Sequence, residues 1–330
     1  MPANRTGSIH LFQVAGIDVY LHWSWFLIAI IEVGYLRNRY TSLVWSALEY
    51  LALFLIVLLH EFGHALACRQ VGGGANRIML WPLGGVAYVD PPPRPGAVLW
   101  SIAAGPLVNV ALLLPLGALG GKYLLASFMG EARPHSDAVT WTIAVLLIDI
   151  GLLLFNILPI YPLDGGQILR ALLWFVLGRG QSLMAATVIG FIGAGAFVVL
   201  ALLGMFAAPS ASVWMLLISA YMLMNCWSGW KMARVLIRME KLPRREGYAC
   251  PSCGAKPPLG AHWRCAQCQK PFDTFESGAA CPWCGAQFSN TMCMDCKRSA
   301  PVRDWIIGAA YPGMSSASNA SMAGQRPVGP

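Results

Sequence analysis

The chain has 330 residues, 57% of them hydrophobic and only 12% charged, with a mean hydropathy of +0.57. An ordinary soluble domain is about 25% charged, so disorder, a fibrous protein and a secreted disulfide scaffold are excluded as descriptions of the whole. Residues 1–230 carry ten Lys/Arg against nine Asp/Glu, and residues 231–330 carry thirteen against six. The pattern is that of an integral membrane protein with a basic C-terminal part.

A membrane-spanning helix needs roughly 20 apolar residues. The runs 20–36, 42–68, 97–119, 138–161, 182–207 and 211–230 predict about six spans. The N-terminus lacks the charged start, short apolar stretch and small-residue cleavage site of a removable signal peptide, so the first run is expected to act as its own insertion signal. A further apolar stretch, 165–178, is short and contains Arg170, which predicts a re-entrant or interfacial helix. Residues 231–246 hold six Lys/Arg against two Glu, which places them in the cytoplasm by the positive-inside rule. Six spans then put both termini there, most simply in the inner membrane of a bacterial cell.

The second run ends in LLHEFGHALA. His60 and His64 are four apart, so both imidazoles leave one helix face, the geometry for sharing one zinc ion, with Glu61 beside them as general base. Two histidines and a glutamate in a membrane helix are costly and point to function rather than packing. A catalytic zinc takes three protein ligands. The third is expected from NILPIYPLDGGQ (Asn156 to Gln167), where Asp164 sits on a Pro- and Gly-opened turn. Irregular backbone at membrane depth is tolerated where it lines a cavity or is buried in protein. Asp149 is the rival, with a buried carboxylate paired across helices as its favoured reading.

These residues, with WPLGG (Trp81 to Gly85) and AAGPLVN (Ala103 to Asn109), resemble the site-2 protease family of intramembrane zinc metalloproteases over roughly residues 8–230. The opening IHLFQVAGIDVYLHWSW looks like the bacterial branch. The resemblance implies a zinc site within three helices, here 42–68, 97–119 and 138–161, facing the cytoplasm. It also implies a small membrane-associated sheet around Trp81–Tyr88 and a substrate that is a transmembrane helix of another protein. His60 lies roughly 27 Å along its helix from Ser42, which agrees. Asn156 suits an amide that orients substrate or stabilises an oxyanion, or equally a helix–helix hydrogen bond. Asn109 is a weaker candidate, and His22 suits either a site role or an interfacial one.

Eight of the ten cysteines form four C-x-x-C pairs separated by eleven, twelve and eight residues. They read as tandem zinc ribbons, with Cys250, Cys253, Cys265 and Cys268 on one structural zinc and Cys281, Cys284, Cys293 and Cys296 on another. Three zinc ions are thus expected, one catalytic and two structural. Cys68 and Cys226 read as apolar fillers.

The expected fold is an all-α polytopic membrane protein with a small β element near the site and a C-terminal zinc-ribbon module. Its domains are a metalloprotease domain (1–230), a basic juxtamembrane linker (231–246), the ribbons (247–300) and a disordered tail (301–330). A cytoplasmic protein partner for the ribbons is favoured over nucleic acid. The rival functions are a catalytically silent membrane scaffold and a metal transporter. An intact His60, Glu61, His64 and Asp164 set argues against the first, and the lack of polar residues toward the second face argues against the other.

Overall fold

Residues Ile17–His22 alternate, with Ile17, Val19 and Leu21 buried, and Ala15 and Gly16 both take positive φ (50° and 70°). Two successive left-handed residues make the tight turn that matches strand twist, so β1 (Ser8–Val14) and β2 (Ile17–His22) form a hairpin. The computed structural model describes residues 7–35, 39–81, 84–129, 136–207, 209–307 and 326–327. β2 runs parallel to β3 (Gly74–Trp81), which pairs antiparallel with β4 (Gly84–Asp90), giving one four-stranded sheet in the order β1-β2-β3-β4. The expected small sheet therefore exists and is larger than expected, because it takes in the N-terminal hairpin.

The hairpin also shortens the first helix. Only Ser24–Tyr35 remains for α1, 12 residues or about 18 Å, too short to cross a hydrocarbon core of about 30 Å. The expected span 20–36 is corrected on this point. Among the described residues, five helices are long and apolar enough to cross: α2 (Leu43–Gln70), α3 (Pro95–Phe128), α4 (Asp137–Ile157), α6 (Arg179–Gly204) and most of α7 (Pro209–Glu240). They leave Leu114, Leu203 and many other large apolar side chains exposed, far more than a soluble monomer tolerates. The protein is an integral membrane protein. α5 (Asp164–Leu177) has 14 residues and stops at Gly178, whose φ of 83° turns the chain into α6, so 165–178 is a short helix as expected.

Local signals set the helix ends. Ser42 Oγ accepts from Val44 N–H at the start of α2, and Pro95 opens α3, where its missing N–H costs nothing. α2, α3 and α4 pack against one another, and the inner face of the sheet lies on α2. Ile17, Val19, Ile78 and Leu80 form one core with Val57, Leu58, Ala65 and Cys68 of α2.

The chain divides after Ala233 into two units. The second differs from the expected linker, ribbons and tail. Arg234–Glu240 continues α7, and Arg244 and Arg245 pair with Asp295 and Asp273 of the cysteine module, so 231–246 is not a free linker. At the other end the module runs past 300. Trp305 is buried among Trp263, Phe275 and Met294, and Tyr248 bridges to Ile306. An indole of this size is what a small ribbon core needs, and it lies just outside the cysteine spacing that bounds the expected module. The short strands β5 (Trp263–Arg264), β6 (Pro271–Phe272), β7 (Thr291–Met292) and β8 (Ser299–Ala300) complete it, and β9 (Arg326–Pro327) pairs with β5. The rest of the expected tail lies outside the described residues.

Candidate active site

His60 and His64 sit two-thirds along α2, Asp164 opens α5, and the three present their acceptor atoms to one another. His60 Nε2 lies 2.9 Å from Asp164 Oδ2, His64 Nε2 lies 3.3 Å from the same oxygen, and the two Nε2 atoms are 3.1 Å apart. Asp164 reaches this position because α4 ends at Ile157 and residues 158–163 are irregular, so α5 begins beside α3 and α4. A carboxylate in the first turn of a helix also meets the positive end of its dipole.

The other ring nitrogens decide what this triangle can hold. His64 Nδ1 lies 2.9 Å from the Ser101 carbonyl, which can only accept, so Nδ1 carries the proton and the neutral ring has its lone pair on Nε2. His60 Nδ1 lies 2.6 Å from Asn109 Oδ1, and Asn109 Nδ2 donates to Asp149 Oδ1 at 2.6 Å, which turns the amide oxygen toward the histidine. His60 Nε2 is therefore also a lone pair. Two imidazole lone pairs and a carboxylate oxygen, all largely buried, point at one place. Such a set repels itself unless a cation lies between its members. Tetrahedral zinc with ligands at about 2.0–2.1 Å would separate them by about 3.3 Å. The donors and their spacing fit zinc.

Asn109 and Asp149, both fully buried, thus stand in line behind His60. Asp149 lies outside the triangle, and its favoured reading as a carboxylate paired across helices describes its contact with Asn109. Asn109 matters more than its string suggests. A signal is present, since it lies one helical turn beyond Gly105 in AAGPLVN, but only the rotation of α3 against α2 shows which side chain it meets. Outer-shell partners of this kind are worth 10–100-fold in metal affinity. Asn109→Leu is expected to weaken zinc binding by about that factor in a chelator competition on the purified protein, with Asn109→Gln, which keeps both the acceptor and the donor, recovering part of it. Equal affinity in all three proteins would remove Asn109 from the site.

Glu61 turns away from the triangle toward the sheet. Its Oε2 accepts from Ala87 N–H of β4 at 2.8 Å, and it stays within electrostatic reach of His60, His64 and Asp164. Two glycines make room for these side chains. A Cβ on Gly105 of α3 would stand under 3.0 Å from both His60 Nε2 and His64 Nε2, and one on Gly85 of β4 would overlap the Glu61 side chain.

Asn156 lies in the last turn of α4, half-buried, and among the described residues it has no hydrogen bond to His60, Glu61, His64 or Asp164. His22 ends β2 with its ring stacked on Trp81, centroids 4.3 Å apart, and its Nδ1 against Ser24 Oγ, outside the cluster. Cys68 and Cys226 are buried, facing the Gly74 and Tyr161 carbonyls.

The cysteines group differently from the expected order. Cys250 and Cys253 meet Cys296 and Cys293, with Sγ–Sγ distances of 3.7 and 3.8 Å. Cys265 and Cys268 meet Cys284 and Cys281, at 3.6 and 3.7 Å. The thiols therefore group as nested turns, the first with the fourth and the second with the third, and not in the sequential order expected. Each C-x-x-C turn offers two thiols, but which turn faces which is a matter of tertiary folding that spacing does not encode. Burial opposes ionisation of Cys250, yet the N–H groups of Cys253 and Ser252 and the Cys296 thiol outweigh it and hold this thiol below its usual value. Against the same opposition, the N–H groups of Cys268 and Gln267 and the facing thiols hold Cys265 down to about 7.

The sequence profile of Peptidase family M50 matches residues 49–133 and 117–202. A zinc metalloprotease of Methanocaldococcus jannaschii is 34% identical over 183 residues, 56% of this chain and 50% of that protein. Stage IV sporulation protein FB of Bacillus subtilis is 30% identical over 154 residues, 45% of this chain and 46% of that protein. The chain spans about half the length of these relatives. Among solved structures, the site-2 protease of Methanocaldococcus jannaschii is similar, at 27% identity and a TM-score of 0.46, over 68% of this chain and 95% of that one. The matched stretch, residues 49–202, holds His60, Glu61, His64, Gly85, Gly105, Asn109, Asp149 and Asp164, and over it the chain matches peptidase family M50.

Proposed function

We propose that this protein is an intramembrane zinc endopeptidase that cuts a transmembrane helix of another membrane protein. The observation that carries the reading is the convergence of two histidine lone pairs and one carboxylate oxygen among membrane helices, with Glu61 adjacent. His60, His64 and Asp164 would hold the ion. Zinc supplies Lewis acidity there, which makes water a nucleophile at neutral pH. Glu61 takes the proton of the attacking water and gives it to the leaving amide nitrogen. Its hydrogen bond to Ala87 N–H fixes the carboxylate, with one oxygen held by the strand.

A helical substrate hides its carbonyls in its own hydrogen bonds and must unwind before attack. β4 is an edge strand of its sheet, and one of its outward N–H groups already points at Glu61. An unwound segment pairing with this edge, by strand addition, would bring its backbone to the base. Asn156, just ahead of the irregular residues 158–163, is the candidate to hold a substrate amide. The six Lys/Arg of 231–246 support a cytoplasmic C-terminus, and a bacterial inner membrane is the setting we assign.

The test is co-expression with a panel of single-span membrane proteins, wild type beside Glu61→Gln, with zinc measured on both. A fragment made only by wild type, while both proteins hold equal zinc, is the expected result. Equal fragments from both would remove Glu61 as the base. Absence of cleavage together with no change in zinc content on His60→Ala would overturn the metal site itself.

A further inference from the structure

We propose that residues 247–307 form a single two-zinc module in which one tetrathiolate site, Cys265/Cys268/Cys281/Cys284, is nested inside another, Cys250/Cys253/Cys293/Cys296. A zinc ion with four sulfurs at about 2.3 Å in a tetrahedron sets them about 3.8 Å apart. The four facing Sγ–Sγ distances, 3.6 to 3.8 Å, match that edge. Thiols making van der Waals contacts with no ion have no reason to meet in fours.

A second observation comes from the backbone. The four turns are built alike. In each, the first cysteine's carbonyl accepts from the N–H four residues on, at Gly254, Gln269, Gly285 and Lys297, at 2.8 to 3.0 Å. The same cysteine's N–H donates to the carbonyl five residues on, at Ala255, Lys270, Ala286 and Arg298, at 2.7 to 3.0 Å. The residue four after that cysteine takes positive φ in every turn: 73°, 59°, 74° and 61°. Glycine adopts this freely, but Gln269 and Lys297 do not. Both non-glycine turns nevertheless take the conformation of the glycine turns, as four copies of one metal-binding turn would.

Nesting makes the inner site the organiser. Its turns are separated by the 12 residues between Cys268 and Cys281, whereas the 39 residues between Cys253 and Cys293 separate the outer turns. Loop closure costs more for the longer loop, and the inner ion removes most of that length. Trp263, Phe275 and Trp305 then pack in the core the two sites share. The ions also change the module's charge. Residues 247–307 hold six Lys/Arg and four Asp/Glu, net +2. Two divalent ions on eight thiolates contribute −4, leaving −2. A zinc-loaded module of that sign favours a basic or neutral protein surface over nucleic acid.

Two double variants of the full chain separate nested from sequential ligation by zinc content relative to wild type. Cys250→Ser/Cys296→Ser strikes one nested site and is expected to lose one ion. Cys250→Ser/Cys268→Ser strikes both and is expected to lose two. Sequential ligation predicts the reverse, two and one, and that result would overturn the proposal. A loss of two from both variants would also overturn it, because the inner site would then not stand alone. No loss from either would show that the clusters hold no zinc. Neither variant touches the intramembrane residues, so the outcome does not depend on the proposed peptidase activity.

Discussion

Gly105→Ala is expected to empty the intramembrane zinc site and abolish cleavage while the cysteine module keeps its ions. The added methyl group would stand under 3.0 Å from Nε2 of both His60 and His64, on the side where their lone pairs converge. The rings cannot simply turn away. Each is held at Nδ1, His60 by Asn109 and His64 by the Ser101 carbonyl, and breaking either bond leaves a buried polar group unpaired at roughly 1–3 kcal/mol. The backbone cannot retreat easily either, because Gly63 of α2 packs against Ala104 of α3 with no room for a side chain. Loss of one zinc per chain, with the helical circular-dichroism signal intact, is the result to look for. Full zinc retention in Gly105→Ala would mean that the ion, if any, sits elsewhere.

The same residues show how much is legible in the sequence. His60, Glu61, His64 and Asp164 can be assigned because each lies in a short string whose spacing or backbone chemistry carries its role: four residues make one helical turn, and Pro and Gly open a turn around a carboxylate. Asn109 and Gly105 act through space across a helix interface, and their string, AAGPLVN, reads equally well as a packing motif. The second N-terminal strand merges with an expected span because six alternating residues beside a long apolar run read as more of that run. The cysteine turns are legible individually, since each is local. Their partnering is not, because all four are alike and nothing in any one turn names its mate. The end of the module is hidden for a related reason: Trp305 belongs to the core by packing and not by spacing.

Gly85→Ala separates the two halves of the chemistry. Its Cβ would overlap Glu61 along Cγ, Cδ and Oε1, atoms at the end of a flexible side chain rather than backbone. Glu61 can therefore swing aside at small cost to folding, and the zinc ligands, which Gly85 does not approach, keep their places. The displaced carboxylate would lose its hydrogen bond from Ala87 N–H and with it the orientation needed to take a proton from water. A misplacement of about 1 Å at a reacting group costs on the order of 100-fold in rate. Gly85→Ala should therefore bind zinc like wild type and cleave about 100-fold more slowly. The companion variant Val86→Ile adds a methyl group at the next, exposed position of β4, and it should cleave faster than Gly85→Ala. Zinc loss from Gly85→Ala, or equal cleavage by the two variants, would mean that the strand does not act by positioning Glu61. The base in this site is then held by packing against a strand whose opposite edge pairs with the rest of the sheet. A substrate pairing with that strand would press on the base that activates the attacking water, so binding and chemistry would share one contact.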